Sequence, residues 1–375
     1  MRTELNKSRE FILAFFSMFI FSVSNIYILN IAFFMFWIFS AMKSRGRLLL
    51  TDRKIFNYLI LHMCWVIFDA VCVTAMRSYP FGMRNIIQLV FEIQYIIWAL
   101  ELDIDVRKYI EYLIKVAVVY SIILIIAFFL TGTFRHLDQI FGLYREWGEG
   151  IFPGNTTSAP IPFIFALFWA LYYKKGYICA SVITIGGLLF PSRVSLLAML
   201  IVWGYFIYCR FSRESKVILW FLAGLFLLAV PSLLVVLQQY APDLAYRLTL
   251  SWDRVDILKT VAFYFKQHWL LGYGGRTLNQ LYDLIPFKTG TGALWPHTHN
   301  FVLEILLRYG LMGLMFFSAI LVKEFRSIRD TKIKFIFMLF MIMALFQTYM
   351  REFTYVFFIY IMVYAGKRET LNDGI

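Results

Sequence analysis

The chain has 375 residues, of which 61% are hydrophobic and 19% aromatic, and its mean hydropathy is +0.70. This hydropathy is far above that of a water-soluble domain, so a soluble globular class is excluded. The net charge of +13 does not indicate nucleic-acid binding, because the basic residues lie in short connections between apolar runs and form no continuous basic face.

Long apolar runs recur over the whole length and predict membrane-spanning helices. About 20 helical residues cross a hydrocarbon layer roughly 30 Å thick, and continuous runs exclude the alternating pattern of a barrel. The twelve predicted spans are residues 11–24, 26–42, 55–75, 85–102, 111–130, 158–173, 177–191, 193–209, 217–237, 299–321, 333–350 and 353–366. The first and last pairs are each interrupted only by a few polar residues, so each could also be one kinked helix. The predicted fold class is an all-α polytopic integral membrane protein, a single transmembrane domain over residues 1–375.

The distribution of basic residues predicts the orientation, because short loops rich in Lys and Arg face the cytoplasm. Lys and Arg total 22 in one alternating set of connections, at residues 1–10, 43–54, 103–109, 174–175, 210–216, 323–334 and the C-terminal tail. The intervening short connections hold six. We therefore predict cytoplasmic termini and two periplasmic or extracellular loops, residues 131–157 and 238–298. Chemistry in those loops would have no access to cytosolic ATP or nucleotide sugars.

The longer outer loop, residues 238–298, is predicted to be structured. Ser251 can cap a helix that runs from Trp252 to about His268. The side chains predicted to form its apolar stripe are Val255, Leu258, Val261 and Phe265. A Gly-rich turn follows at residues 272–275.

Two of the five histidines lie together in the sequence WPHTHN, where the outer loop meets a predicted span. For His297 and His299 two interpretations stay open: polar residues that cap a helix at the interface, or functional groups. On a continuous helix His297 would share one face with Glu304 and Arg308. Glu304 and Arg308 are four residues apart and would neutralise each other inside the bilayer. His-x-His offers two metal ligands, but no third stands at a familiar spacing, so no metal site is predicted.

Arginines on the predicted outer side are candidates for binding a phosphate group. These arginines are Arg193, Arg247, Arg254 and Arg276. Arg193 can also be an interfacial anchor, and scattered loop arginines usually belong to a solvated surface. The outer location favours function, because positive charge is otherwise depleted there and a guanidinium binds phosphate oxygens in a bidentate manner. Two or three such contacts, each about 1.5–3 kcal/mol, would hold a diphosphate without Mg²⁺.

The sequence HTHNFVLEILLRYGLMGL resembles the motif of the O-antigen polymerase and O-antigen ligase superfamily, in which an outer loop ends in a His-x-His-Asn-like sequence before an apolar helix. Three further segments are similar to family sequences: PSRVSLLAML, RLTLSWDRVDILK and HWLLGYGG. The similarity covers about residues 190–315, with Trp269 standing where the family usually has proline. Residues 1–175 resemble the family only in hydropathy and number of spans.

The resemblance implies a GT-C-like membrane glycosyltransferase that acts on the outer leaflet of a bacterial plasma (inner) membrane, without a metal ion or other cofactor. Donor and acceptor would both be oligosaccharides linked to undecaprenyl diphosphate. Membrane lipids, a polysaccharide chain-length regulator and a flippase are further expected partners, and nucleic acid is not expected.

The resemblance also implies roles for individual residues. His299, or its neighbour His297, would accept the proton of the attacking sugar hydroxyl, a role suited to an imidazole with a pKa of about 6.5. The residues that would bind the diphosphate are Arg193, Arg254, Arg247 and Arg276. Independently of the resemblance, the spacing of Glu304 and Arg308 predicts an intramembrane pair that supports the site.

Three functions remain open from the sequence. A polymerase, which joins repeat units into O-antigen, capsule or exopolysaccharide, is favoured because these enzymes are diverse in sequence and rich in aromatic residues. A ligase would transfer the finished glycan to lipid A core. A flippase or secondary transporter for lipid-linked oligosaccharides would also fit twelve spans with intramembrane charges, but the halves of the chain show no convincing similarity of the kind that repeat-built transporters have.

Overall fold

The computed structural model describes residues 10–12, 14–15, 17–18, 64, 67–68, 71–72, 105–130, 160–190, 192–212, 214–215, 252–276, 278–285, 287, 298–346 and 362, with the side chains at 193 and 252–255 outside this description. Every regular element within these ranges is a helix. The helices bounded there are α1 (Val106–Leu130), α2 (Ile161–Tyr172), α3 (Tyr177–Leu188), α4 (Arg193–Tyr208), α5 (Trp252–Gln267), α6 (Leu278–Leu284), α7 (Phe301–Ser327) and α8 (Thr331–Ala344).

The prediction of an all-helical chain with repeated apolar helices is confirmed over the described residues. Six predicted spans overlap α1, α2, α3, α4, α7 and α8. Two of these helices, α1 and α7, are long and apolar enough to cross a membrane, while α2, α3 and most of α4 are shorter apolar helices. The remaining predicted spans and the outer loop at 131–157 lie wholly or largely outside the described residues. Those spans are 11–24, 26–42, 55–75, 85–102, 217–237 and 353–366.

Helix α2 lies at the centre of the described bundle. All residues from Ile161 to Ala170 are buried, which is the pattern of an apolar helix surrounded by other helices. It packs against α1, α3 and α4. The Trp203 indole of α4 donates a 2.9 Å hydrogen bond to the Thr184 hydroxyl of α3, an interhelical bond of the kind that stabilises helix pairs in an apolar layer.

The start of α8 meets the ends of α2 and α4 at one side of the bundle. Asp330 caps α8 by accepting from Lys332 N at 2.7 Å, and its other oxygen accepts from the Tyr172 hydroxyl at 3.1 Å. Tyr205 of α4 stacks on Phe335 of α8 with ring centroids 3.7 Å apart. These contacts lie beside the connections for which the charge pattern predicts a cytoplasmic location.

Helices α5 and α6 form a second, smaller apolar cluster that packs on α7. The buried members of this cluster are Tyr264, Tyr273, Leu278, Leu281, Tyr282 and Leu307. The helix predicted from Trp252 to about His268 is confirmed as α5. Its predicted apolar stripe is correct at Val261 and wrong at Leu258. Leu258 is 52% exposed, whereas Ile257 and Val261 are buried. The orientation of α5 is set by its contact with the turn and α7, which sequence periodicity does not report.

Candidate functional site

Helix α7 begins after Asn300, whose side chain makes two hydrogen bonds. Its Oδ1 accepts from Leu303 N at 3.0 Å, which caps the helix. Its Nδ2 donates to the carbonyl of Leu345, just past the end of α8, at 2.8 Å. One residue therefore fixes the start of α7 to the end of α8.

His299 precedes this cap in a left-handed backbone conformation, with φ 50°. Asn, Asp and His are the non-glycine residues that adopt this conformation most often. Thr298 and Asn300 enclose His299 in a turn, because Asn300 N donates to Thr298 Oγ1 at 3.4 Å. A non-glycine residue in this region costs about 1–3 kcal/mol and persists where its surroundings enforce it. The His299 side chain is half-buried, so the turn brings an imidazole to the accessible end of α7.

Glu304 and Arg308 form an ion pair inside the protein. Arg308 Nε donates to Glu304 Oε1 at 2.8 Å, and both side chains are 2% exposed. The other carboxylate oxygen, Oε2, lies 2.9 Å from the Thr298 hydroxyl that donates to it. The predicted pair is therefore formed and is bonded to the turn that holds His299. Removing one member would leave a buried uncompensated charge, at a cost of roughly 3–5 kcal/mol.

Helix α7 is interrupted at Gly310, where φ is 65° and ψ is −169°. Backbone groups on both sides of the break bond to the turn after α5 instead of to their own helix. Tyr273 N donates to the Arg308 carbonyl at 3.1 Å, and in the opposite direction Leu311 N donates to the Trp269 carbonyl at 2.8 Å. The turn and the helix break thus satisfy each other's backbone hydrogen bonds.

Glycine is required on both sides of this contact. A Cβ on Gly272 would lie 2.6 Å from Tyr309 N, and a Cβ on Gly310 would overlap the Leu270 carbonyl. Both glycines also have positive φ. Gly310 is the tenth residue of α7, so the contact lies about 15 Å along the helix. An apolar layer tolerates irregular backbone only where the protein itself supplies the bonds, as happens here.

Tyrosines anchor the turn on α5 and α6. The Tyr273 hydroxyl donates to the Tyr264 carbonyl at 3.0 Å, and the Tyr264 hydroxyl donates to the Ile285 carbonyl at 2.7 Å. Burial, together with the neighbouring Tyr282, raises the pKa of Tyr264 and keeps its hydroxyl protonated as a donor. Arg276 Nη1 donates to the Tyr273 carbonyl at 3.2 Å and closes the turn.

A continuous set of bonds connects the turn at the start of α7 to the turn that carries Arg276. The Thr298 hydroxyl bonds to Glu304, and Glu304 pairs with Arg308. The Arg308 carbonyl accepts from Gly275 N at 3.1 Å, and Arg276 follows directly with 4% of its surface exposed. Chain segments that are about 20 residues apart in sequence are thereby held in one arrangement.

The predicted site residues fall into three groups. His299, Arg276, Glu304 and Arg308 are described, and the bonds above connect their segments. Arg193 and Arg254 are described only in backbone, as the first residue of α4 and a first-turn residue of α5. His297 and Arg247 lie outside the described residues. The continuous helix on which that shared face was predicted is not formed at residues 298–300, since α7 begins at Phe301 after the turn at His299.

Sequence reasoning missed Thr298 and the break at Gly310. Thr298 could have been found from its place between two histidines and before Asn300, which caps the helix. The signal for the break was the glycine itself, which stands in the apolar run that follows Arg308. Among the described residues, no three His, Cys, Asp or Glu side chains are grouped as metal ligands. The absence of a metal ion from the reaction stays a prediction.

Comparison with protein families supports the resemblance stated from the motifs. Residues 178–318, from α3 to the middle of α7, match the family model described as O-antigen ligase. The match includes Thr298, His299 and the broken part of α7. No curated protein matches the chain.

Proposed function

From the O-antigen ligase family domain at residues 178–318, we propose that this protein is a polysaccharide polymerase of the bacterial plasma membrane. It joins oligosaccharide repeat units carried on undecaprenyl diphosphate into O-antigen, capsule or exopolysaccharide on the outer leaflet. The observation that carries the proposal is the bonded arrangement of the turn that holds His299, the Glu304–Arg308 pair and the turn of Arg276, all within residues 178–318.

The proposed reaction is a displacement at the anomeric carbon of the donor sugar. A hydroxyl oxygen of the acceptor sugar forms the new bond to that carbon, and the bond between the carbon and the phosphate oxygen breaks. The electron pair leaves with the lipid diphosphate, and the hydroxyl proton moves to a ring nitrogen of His299. A neutral imidazole is a suitable acceptor at physiological pH, and His299 is half-buried at the end of α7 rather than enclosed in the core.

Arginines are proposed to bind the diphosphate and to stabilise its charge as it leaves. Arg193 is the first residue of α4, directly after the N-cap Ser192, and Arg254 lies in the first turn of α5. Arg276 already donates to the Tyr273 carbonyl, so it also holds the turn in shape. Arg247 is proposed as a further diphosphate ligand from the resemblance and from the prediction that residues 238–298 lie on the outer side of the membrane.

The proposed topology has twelve spans, cytoplasmic termini and the loop at 238–298 outside. The described contacts support an alternation of helix direction across the membrane. The ends of α2 and α4 lie beside the start of α8, which the charge pattern predicts to be cytoplasmic. The start of α7 bonds to the end of α8, at the opposite side. Energy for transfer then comes from the lipid diphosphate donor, since cytosolic nucleotides do not reach the site.

A reconstituted assay tests the proposal. The purified protein in vesicles receives a defined undecaprenyl-diphosphate-linked repeat unit without nucleotides, and products are separated by length. We expect a ladder of glycans longer than one unit. Transfer only to added lipid A core would indicate a ligase, the second candidate, which is favoured by the match of residues 178–318 to the O-antigen ligase family. Movement of the substrate between leaflets without a new glycosidic bond would indicate a flippase.

The arginine at the start of α4 gives a sharper test. We expect Arg193→Lys to lower polymer formation at least tenfold, because an ammonium keeps the charge but cannot bind two phosphate oxygens in one plane. The matched control is Arg210→Lys just past the other end of α4, where the guanidinium lies 4.9 Å from the centroid of the Tyr177 ring. A lysine keeps that cation–ring contact, so the control should retain activity. Equal rates for the two variants would remove Arg193 from the diphosphate site.

A further inference from the structure

We propose that Thr298 is a positioning residue for His299, acting through its hydroxyl group. This inference rests on the proposed role of His299 as the proton acceptor. Thr298 does not itself contact the substrate. Its hydroxyl determines the backbone conformation, and so the place of the imidazole, one residue further on.

The hydroxyl of Thr298 acts both as an acceptor and as a donor of hydrogen bonds. As an acceptor, it receives the hydrogen bond from Asn300 N at 3.4 Å, which closes the turn around His299. As a donor, its proton has two oxygen acceptors within reach: Glu304 Oε2 at 2.9 Å and the Asn300 carbonyl at 2.8 Å. A hydroxyl has one proton, and a carboxylate is the stronger acceptor, so the bond to Glu304 fixes the rotamer.

Glu304 is a fixed anchor for this bond. Its other oxygen is held by Arg308 at 2.8 Å, with both side chains 2% exposed. The backbone of Arg308 is in turn bonded to the turn after α5 through Tyr273 N and Gly275 N. A chain of rigid contacts therefore ends at Thr298, directly before the residue with φ 50°. Among these contacts, the left-handed conformation of His299 is the one feature that is unfavourable by itself. The bond between Thr298 and Glu304 is therefore expected to stabilise this conformation.

Two conservative substitutions separate a positioning role from a packing role. Thr298→Val keeps the shape of the side chain and removes the hydroxyl, and Thr298→Ser keeps the hydroxyl and removes a methyl group. For the purified variants in vesicles, we expect Thr298→Val to lower kcat tenfold to a hundredfold while KM for the lipid-linked donor changes less than twofold. Thr298→Ser should stay within threefold of the unchanged protein in both constants. If Thr298→Val does not fold, Thr298→Ala provides the same comparison.

A Thr298→Val protein with unchanged kcat would overturn the inference. So would a serine variant as impaired as the valine variant, since that result would assign the role to the methyl group and to packing. The role of His299 as proton acceptor fails by a different result, namely full activity after its replacement. The proposed function itself fails if the unchanged protein forms no glycan longer than one repeat unit. Loss of activity on replacing His299 together with an active Thr298→Val protein would reject the positioning role alone.

Discussion

Gly310→Ala is expected to destabilise the protein by roughly 3 kcal/mol or more and to abolish polymer formation. The backbone at Gly310, with φ 65° and ψ −169°, lies in a region that is essentially restricted to glycine. A methyl group there would also overlap the Leu270 carbonyl, which belongs to backbone and cannot rotate away. We expect a lower midpoint of thermal unfolding in detergent and a large aggregated fraction by size-exclusion chromatography.

Gly204→Ala is the matched control for this change. Gly204 lies in α4, where an added Cβ meets no atom within 4 Å and φ is not positive. Alanine is favoured over glycine inside a helix by about 0.5–1 kcal/mol, so this variant should be as stable as the unchanged protein or slightly more so. If Gly310→Ala matched Gly204→Ala in stability and activity, the contact between the turn and α7 would not hold the site together.

His299→Gly and His299→Asn are expected to lower the rate of polymer formation by about 10²–10⁴-fold, the usual contribution of a general base. Glycine and asparagine both accept the left-handed conformation that the structure records at φ 50°. The turn before α7 should therefore persist, and the loss should appear in kcat of the purified protein with an unchanged unfolding midpoint. Alanine is a poorer choice, because it would combine loss of the imidazole with backbone strain.

Lys174→Gly controls for the backbone effect of the glycine substitution. Lys174 is exposed and is the other described non-glycine residue with positive φ, at 54°. It lies in the connection between α2 and α3, at the side of the bundle away from Asn300. We expect full activity from this variant. Activity in His299→Gly equal to that in Lys174→Gly would reject His299 as the proton acceptor.

Much of the helical architecture could be predicted because apolar length is a local property of the sequence. The pairing of Glu304 with Arg308 could also be predicted, since spacing by four residues places two side chains on one helical face. The structure records their ion pair at 2.8 Å. In both cases the determining information lies within one helix.

The break in α7 could not be predicted in the same way. Glycine is common in membrane helices, and only the approach of the Leu270 carbonyl requires glycine at position 310. Leu258 was wrongly assigned to the buried face of α5 for a related reason, because contact with the turn and Leu307 decides which residues face inward. Contacts between segments distant in sequence determine these features, and a single sequence does not report them.

The exchange of backbone bonds between Trp269–Gly275 and Arg308–Met312 has a consequence for protein engineering. A change in one of these two stretches requires a matching change in the other, even though about thirty residues separate them. A chimaera that takes α5 and the turn after it from one homologue and α7 from another would join mismatched halves. On the proposed function, specificity for a new glycan is therefore best transplanted with both stretches together.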